Sequence, residues 1–296
     1  MAREWTDIFG GIALREDVSG RTLTTFGSGG AARCVLCPTD AAELERAVAV
    51  SEEEGLPYRV LGGGSNVLLA DEGYNGAIIR LSRMREITVR GCVVKAGAGV
   101  PMAHLASVCA EAGLSGAEYA FGIPGEVGGG VYMNASAYGG GVSDTLREVE
   151  VFLGGERRVL DARTLDMRYH RGGLPQGAIL LSATFEMRRG DRREILAYMR
   201  ELTERRRSSQ PLERSAGSVF RRTDRGAAAL LIEETGLKGT RIGGAELSTK
   251  HCNFIVNRGG ATTADYFALG DKVSAAVRER SGVTLEYEVE RIYADG

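Results

Sequence analysis

Histidine is scarce in this chain. Three occur in 296 residues (His104, His170 and His251), and no two form an H-x-x-x-H pair. A histidine-built catalytic metal site therefore has no pattern to rest on, and no metal is expected. The five cysteines are an odd number scattered through a long chain, which is not a disulfide framework. Cys34 and Cys37 have C-x-x-C spacing, but no second Cys or His pair follows at a zinc-like distance. The run Arg33-Cys34-Val35-Leu36 reads as a buried strand, with its cysteine a small core residue. No apolar run approaches the ~18 residues of a membrane span. The first seven residues lack the apolar core of a signal peptide, so the expected location is the cytoplasm, with no membrane partner. A net charge of −2 argues against a nucleic-acid partner held by bulk electrostatics. Lysine is rare as well: four stand among 37 basic residues, yet Lys238 and Lys250 fall close together. That marks a weak preference there for a compact ammonium.

What the chain has in quantity is glycine, and two clusters carry most of the information. One is Leu61-Gly62-Gly63-Gly64-Ser65-Asn66-Val67-Leu68, directly after a strand expected at residues 58–61. The other is Gly122-Ile123-Pro124-Gly125-Glu126-Val127-Gly128-Gly129-Gly130, leading into Met133-Asn134-Ala135-Ser136-Ala137-Tyr138-Gly139. Few side chains there could carry chemistry, so the offer to a ligand is mostly backbone. Glycine lets the main chain come close to another group and turn successive N–H groups toward an anion. Tight turns and helix caps are the ordinary use of such residues. Two clusters together point instead to a large anionic ligand with a pyrophosphate, gripped from two sides. Neither matches the G-x-G-x-x-G fingerprint opening a helix, nor the P-loop with its Lys-Ser/Thr.

A length of 296 residues suggests two or three domains. The first 80 residues alternate strand and helix, with strands at 33–37, 58–61 and 77–81. A helix at 40–54 has Asp40 and Glu43 as a capping pair, Leu44, Ala47 and Val48 facing inward, and Gly55 as its stop. From residue 86 the texture becomes antiparallel, with a hairpin at 86–96 and strands at 148–152, 157–160 and 178–187. A polar, arginine-rich helix at about 194–207 is the expected boundary. Beyond it lie a short helix at 227–235, strands at 241–247 and 253–256, and a helix opening on the capping box Thr262 to Asp265. The final strand is expected over 284–293. In it Glu286 and Glu288 share one face, while Tyr287 and Val289 take the other.

Nine short motifs in fixed order carry a resemblance. They are Thr25-Phe26-Gly27 with Gly29-Gly30, Gly62-Gly63-Gly64-Ser65-Asn66, the 122–138 loop, Ala216-Gly217-Ser218-Val219-Phe220, Leu231-Ile232-Glu233, residues 236–239, Gly243-Gly244-Ala245, residues 251–257, and Leu285-Glu286-Tyr287-Glu288-Val289. Over nearly its whole length the chain resembles the UDP-N-acetylenolpyruvoylglucosamine reductase family, also called UDP-N-acetylmuramate dehydrogenases, in its shorter (type II) form. The resemblance implies an α+β protein with a two-part FAD-binding domain of the para-cresol methylhydroxylase/vanillyl-alcohol oxidase type at residues 1–195, broken near 84. A C-terminal α+β substrate-binding domain would occupy 196–296. It implies FAD held by Gly62, Gly63, Gly64, Ser65, Asn66, Gly122, Pro124, Gly125, Gly128, Gly129 and Asn134. With no histidine in the first loop, the flavin should be non-covalent. NADPH would be the co-substrate, and UDP-N-acetylglucosamine enolpyruvate would be reduced to UDP-N-acetylmuramate for peptidoglycan. Ser218 matches the family's proton donor, Glu288 the residue polarising the enolpyruvyl carboxylate, and Lys238 a lysine on the UDP pyrophosphate. A monomer is expected.

One family position does not fall cleanly. An arginine that helps hold the carboxylate belongs near Met167-Arg168-Tyr169-His170-Arg171-Gly172-Gly173. Ungapped, it lands on His170; a one-residue slip gives Arg171, and Arg168 is close by. A permanent charge and a forked donor favour Arg171. Arg222 also stands where an asparagine is usual. Two other readings remain open at this level: another FAD-dependent oxidoreductase of the same superfamily, or a catalytically dead binding protein on this fold.

Overall fold

The computed structural model describes residues 5–295. Residues 1–4 of the polar N-terminal stretch, and Gly296, lie outside the described residues. By packing, the chain forms two compact units, each assembled from separated stretches. One gathers the residues up to Arg15, Val35–Gly63 and Ile78–Arg206; the other gathers Glu16–Cys34, Gly64–Ala77 and Arg207–Gly296.

The first unit is built on a five-stranded antiparallel sheet. Its order is Glu156–Asp161, Leu146–Leu153, Ile179–Glu186, Val93–Gly97, Ile87–Arg90. The middle strand reads Ile-Leu-Leu-Ser-Ala-Thr-Phe, and all seven of those residues are buried. An unbroken buried run of that kind belongs to a strand covered on both faces. The helix Val127–Tyr132 packs against it. The helix expected at 40–54 runs over Ala41–Glu53, burying Leu44, Ala47 and Val48. Asp40 caps it by accepting from the Glu43 N–H at 2.9 Å. The Glu43 carboxylate reaches back to the Thr39 N–H at 2.8 Å, one residue earlier than a standard capping box would put it.

The second unit carries a four-stranded antiparallel sheet in the order Ser215–Ser218, Phe254–Asn257, Ala245–Leu247, Arg241–Ile242. The single strand expected at 241–247 is thus a hairpin folded about Gly243-Gly244, and Gly243 has φ 52°. The helix Thr263–Ser281 opens on the Thr262/Asp265 capping box and ends on Gly282 in the left-handed region. It buries Tyr266, Leu269, Val273 and Val277 into a core shared with Phe26, Leu68, Phe220, Leu247, Ile255, Leu285 and Val289.

The final strand is shorter than its alternation suggests. Only Glu290–Ile292 forms a ladder, and it runs parallel to Val67–Leu69. Upstream of it, Tyr287 makes a lone bridge to Phe220. The alternation itself holds, since Tyr287 and Val289 pack on the core while Glu286 is exposed. This parallel pairing explains why residues 64–77 belong with the C-terminal stretch although more than two hundred residues separate the two paired strands. Further ties reinforce it: the Asp71 carboxylate accepts the Thr263 and Ala264 N–H groups, each at 2.8 Å, at the open end of the long helix.

Candidate active site

In the first unit the two glycine clusters meet. A Cβ on Gly63 would stand 2.9 Å from Gly125 Cα, closer than real side chains come, so Gly63 must lack one for the loops to touch. Gly62 faces the same loop, 3.6 Å from the Gly129 N–H and 3.8 Å from Glu126 Oε2 by the same construction. Gly129 itself faces open space: a Cβ there would meet nothing within 4 Å.

Several loop donors are already committed. Val127 N–H donates to Val100 O and Gly128 N–H to Ala98 O, both at 2.8 Å. Gly128 is a packing glycine besides, since its Cβ would sit 3.2 Å from that of Ala98. Asn134 is similarly engaged. In a left-handed conformation (φ 44°), it donates to Arg168 O and accepts from the Ser143 N–H, each at 3.0 Å. Its amide fixes the loop from within.

Glu126 is the one carboxylate in this loop. It is 7% exposed, Oε2 has no hydrogen-bond partner, and the nearest cation is Arg80 at 3.9 Å. Burial pushes its pKa up, against the opposing pull of Arg80 and Arg85.

Asn134 leads to the ambiguous arginine motif. Arg168 and Arg171 form a tight two-residue hairpin, exchanging N–H···O bonds of 2.8 and 3.0 Å, with His170 left-handed (φ 54°) at its tip. Gly172 N–H donates to Tyr132 O at 2.8 Å. A Cβ on Gly172 would run into the Val131 carbonyl, so this hairpin is clamped to the end of the glycine-rich helix. Arg168 spends its Nε on Asp166 at 2.8 Å. The His170 ring lies edge-on to Tyr169, with centroids 3.9 Å apart. Arg171 is exposed.

In the second unit the main chain brings the Ser218 and Glu288 segments together. The Ser218 strand pairs Ser215 with Val256 and Ser218 with Phe254, leaving two residues between the pairs on one side and one on the other. The extra residue is a β-bulge, and Gly217 occupies it at φ 79°. A bulge re-aims the side chain that follows it, and here that side chain is Ser218. Asn253 locks the result. Its backbone O accepts from Val219 N–H at 2.9 Å, its side-chain O accepts from Phe220 N–H at 3.0 Å, and its side-chain N–H donates to Phe220 O at 2.9 Å.

Glu288 lies on the neighbouring segment, its N–H donating to Val219 O at 2.8 Å. Asn66 donates its side-chain N–H to Glu288 O, and Glu290 N–H returns to Asn66 O, both at 3.0 Å. Thr25 completes the frame, with its hydroxyl on Ser215 O at 2.7 Å and its N–H on Gly64 O at 2.9 Å. Gly64 is left-handed (φ 68°), and its Cβ would collide with the Leu23 carbonyl. The first glycine loop therefore divides its work: Gly62 and Gly63 meet the second loop, while Gly64 and Asn66 brace the Ser218 and Glu288 segments.

Lys238 is exposed and ion-paired with Glu233. Beside this pair, burial lowers the pKa of His251, and the Lys238 charge adds to that. With Nδ1 accepting from Asn253 N–H at 3.3 Å, the neutral ring carries its proton on Nε2. Arg222 is exposed. Cys34, Cys109 and Cys252 are buried, and burial raises the Cys34 thiol to about 11 and the Cys109 thiol to about 12, while Cys37 and Cys92 are half-buried. Among the described residues, no group of three or more His, Cys, Asp or Glu could hold a metal. None of their helices is long and apolar enough to cross a membrane.

Sequence reasoning assigned no role to Asn253, Thr25 or Glu126. All three sit inside quoted motifs, and a polar residue amid Cys252-Asn253-Phe254-Ile255 is a signal for a buried hydrogen-bonding brace.

Known proteins resemble this chain in sequence and fold. The description "FAD binding domain" matches residues 32–161. "UDP-N-acetylenolpyruvoylglucosamine reductase, C-terminal domain" matches residues 210–292. The UDP-N-acetylenolpyruvoylglucosamine reductase of Geobacter metallireducens is 41% identical over 281 residues, covering 94% of this chain and 93% of that one. Its counterpart from Lactobacillus acidophilus is 39% identical over 282 residues, covering 94% and 95%. The crystal structure of UDP-N-acetylenolpyruvylglucosamine reductase from Thermus caldophilus matches with a TM-score of 0.83 at 37% identity, covering 94% of this chain and 99% of that one.

Proposed function

The chain belongs to the UDP-N-acetylenolpyruvoylglucosamine reductase family, and from that premise we propose that it reduces UDP-N-acetylglucosamine enolpyruvate to UDP-N-acetylmuramate with NADPH and non-covalent FAD. The residues present suit the cofactor. A Cβ on Gly63 would collide with Gly125, and Gly129 faces open space. Gly62, Gly63 and the 122–125 stretch would hold the diphosphate, while Gly128 and Asn134 keep the loop in shape. When bound, FAD would supply the two-electron hydride chemistry linking NADPH to the terminal carbon of the enolpyruvyl group.

The protein's own residues handle the charge that follows. As the hydride arrives, negative charge develops on the carbon beside the carboxylate, and the Ser218 hydroxyl protonates that carbon. The serine regains its proton from solvent. A hydroxyl is a weak acid, so this role requires a fixed geometry and a dry site. Glu288 polarises the carboxylate, Arg171 holds it as a forked cation, and Lys238 takes the UDP diphosphate. We further propose a functional division near residue 195, a monomeric state and a cytoplasmic location.

The observation that carries this reading is the Gly217 bulge, which aims Ser218 while the adjacent main chain receives the Glu288 N–H. Purified protein tests it. It should be yellow, release FAD into the supernatant on acid or heat, and consume NADPH only when the enolpyruvyl sugar nucleotide is added. A colourless protein, or NADPH use indifferent to that substrate, contradicts it.

A further inference from the structure

One cation is left unused by this scheme. The helix Arg192–Ser209 buries Ile195, Met199 and Leu202, a stripe at helical spacing. The next position on that stripe is Arg206. Its neighbours Arg205 and Arg207 are exposed, whereas Arg206 is turned inward. Its stem lies along the second glycine loop, for a Cβ on Gly122 would stand 3.2 Å from Arg206 Cδ.

Other arginines of the helix meet acids: Arg192 pairs with Glu111 and Arg205 with Glu201, each at 2.5 Å. Arg206 pairs with none among the described residues. Burial pulls its pKa down, and the titratable group that acts on it is Tyr138. Tyr138, on the same glycine loop, is also incomplete. It is left-handed (φ 53°), and its hydroxyl is buried with no hydrogen-bond partner. A half-buried cation without a counter-charge and a buried hydroxyl without an acceptor are each unfavourable alone. Against one loop, they are together complementary to an anionic oxygen.

We propose that Arg206 and the Tyr138 hydroxyl bind a negatively charged oxygen of the FAD, adding side-chain recognition to a site otherwise made of main chain. The proposal rests on the reading that the glycine loops hold FAD. Two parts of that molecule have the required chemistry: the diphosphate, and the N1–C2=O edge of the isoalloxazine, which gains negative charge on reduction. A guanidinium can fork onto either.

The test uses full-length wild type, Arg206→Ala, Arg206→Lys and Tyr138→Phe. After flavin removal each is titrated with FAD and with riboflavin, and the midpoint potential of each FAD-loaded form is measured. Arg206→Ala should weaken FAD binding about 10–100-fold, Arg206→Lys should recover part of that, and Tyr138→Phe should lose a few-fold. If the diphosphate is the partner, riboflavin affinity and the potential stay at wild-type values. If the isoalloxazine edge is the partner, riboflavin affinity falls in step and the potential drops, because a cation favouring the reduced ring is gone. Unchanged FAD affinity and potential overturn the proposal. Should Arg206→Ala fail to fold, the same result in Arg206→Lys and Tyr138→Phe together overturns it. A wild-type protein that binds no flavin would overturn the FAD reading instead.

Discussion

The glycine clusters and the Ser218 region serve their ligands with opposite halves of the amino acid. At Gly63 the side chain is missing by necessity, since a single added carbon would collide with Gly125. Around Ser218 the side chain is the purpose, and the backbone is bent by a left-handed Gly217 to present it. Yet the two regions are stiffened alike, by an asparagine whose side-chain amide both donates to and accepts from the main chain. Asn134 holds the second glycine loop and Asn253 holds the Ser218 strand. The difference predicts two kinds of damage. Adding a carbon should disturb cofactor binding, whereas removing a functional group should disturb chemistry and leave the cofactor in place.

The largest effect should come from removing the proton donor. Ser218→Ala is expected to lower substrate-dependent turnover by ~10²-fold or more while FAD content stays at wild-type level. A parallel loss of bound FAD would make Ser218 structural and erase the contrast.

Next comes the carboxylate anchor, where Arg171→Ala and His170→Ala separate the alternatives. Loss of a forked charge-assisted contact contributes roughly 1.5–3 kcal/mol, or about one to two decades in kcat/KM for the enolpyruvyl substrate, with NADPH use untouched. If His170→Ala shows that loss and Arg171→Ala does not, the tip of the hairpin is the anchor.

A smaller loss is expected from the backbone side. Gly63→Ala pushes the loops apart and should raise the FAD Kd about tenfold, as measured by flavin fluorescence. Gly129→Ala sharpens the point, since its Cβ meets only open space in the protein. It should leave the thermal stability of the flavin-free chain intact and still weaken FAD. If Gly129→Ala binds FAD normally, that space is not the cofactor's.

The smallest effect concerns Glu126. Its pKa is raised by burial, so protonation favours the folded state, and that contribution is lost as pH rises through the raised value. Glu126→Gln should therefore stabilise the flavin-free protein at neutral pH by about 1 kcal/mol, a few degrees in Tm. The gain should vanish below pH ~4, where glutamate is protonated folded or unfolded. Equal melting temperatures at pH 7 would show that Arg80 fully offsets the burial.

Much of the site is readable from sequence because its signals are local. Glycine clusters, a Thr262/Asp265 capping box and the Ala216-Gly217-Ser218 motif need no partner to be recognised. A glycine within a strand even announces the bulge. Pairings between distant segments leave no such trace: nothing in Val67-Leu68-Leu69 names Glu290–Ile292 as its partner, so residues 64–77 read as part of the N-terminal alternation. The shortened final strand has the same origin, for alternation reports which face is buried and not which residues form a ladder. Arg206 hides for another reason. It sits in a run of three arginines, and only the phase of Ile195, Met199 and Leu202 singles out the middle one.

The central claim, main chain for the cofactor and side chains for the reaction, is tested most directly by stopped-flow on Ser218→Ala loaded with FAD. NADPH should bleach the flavin at close to the wild-type rate, and the enolpyruvyl substrate should restore its colour ~10²-fold more slowly. Equal slowing of both half-reactions would contradict the account.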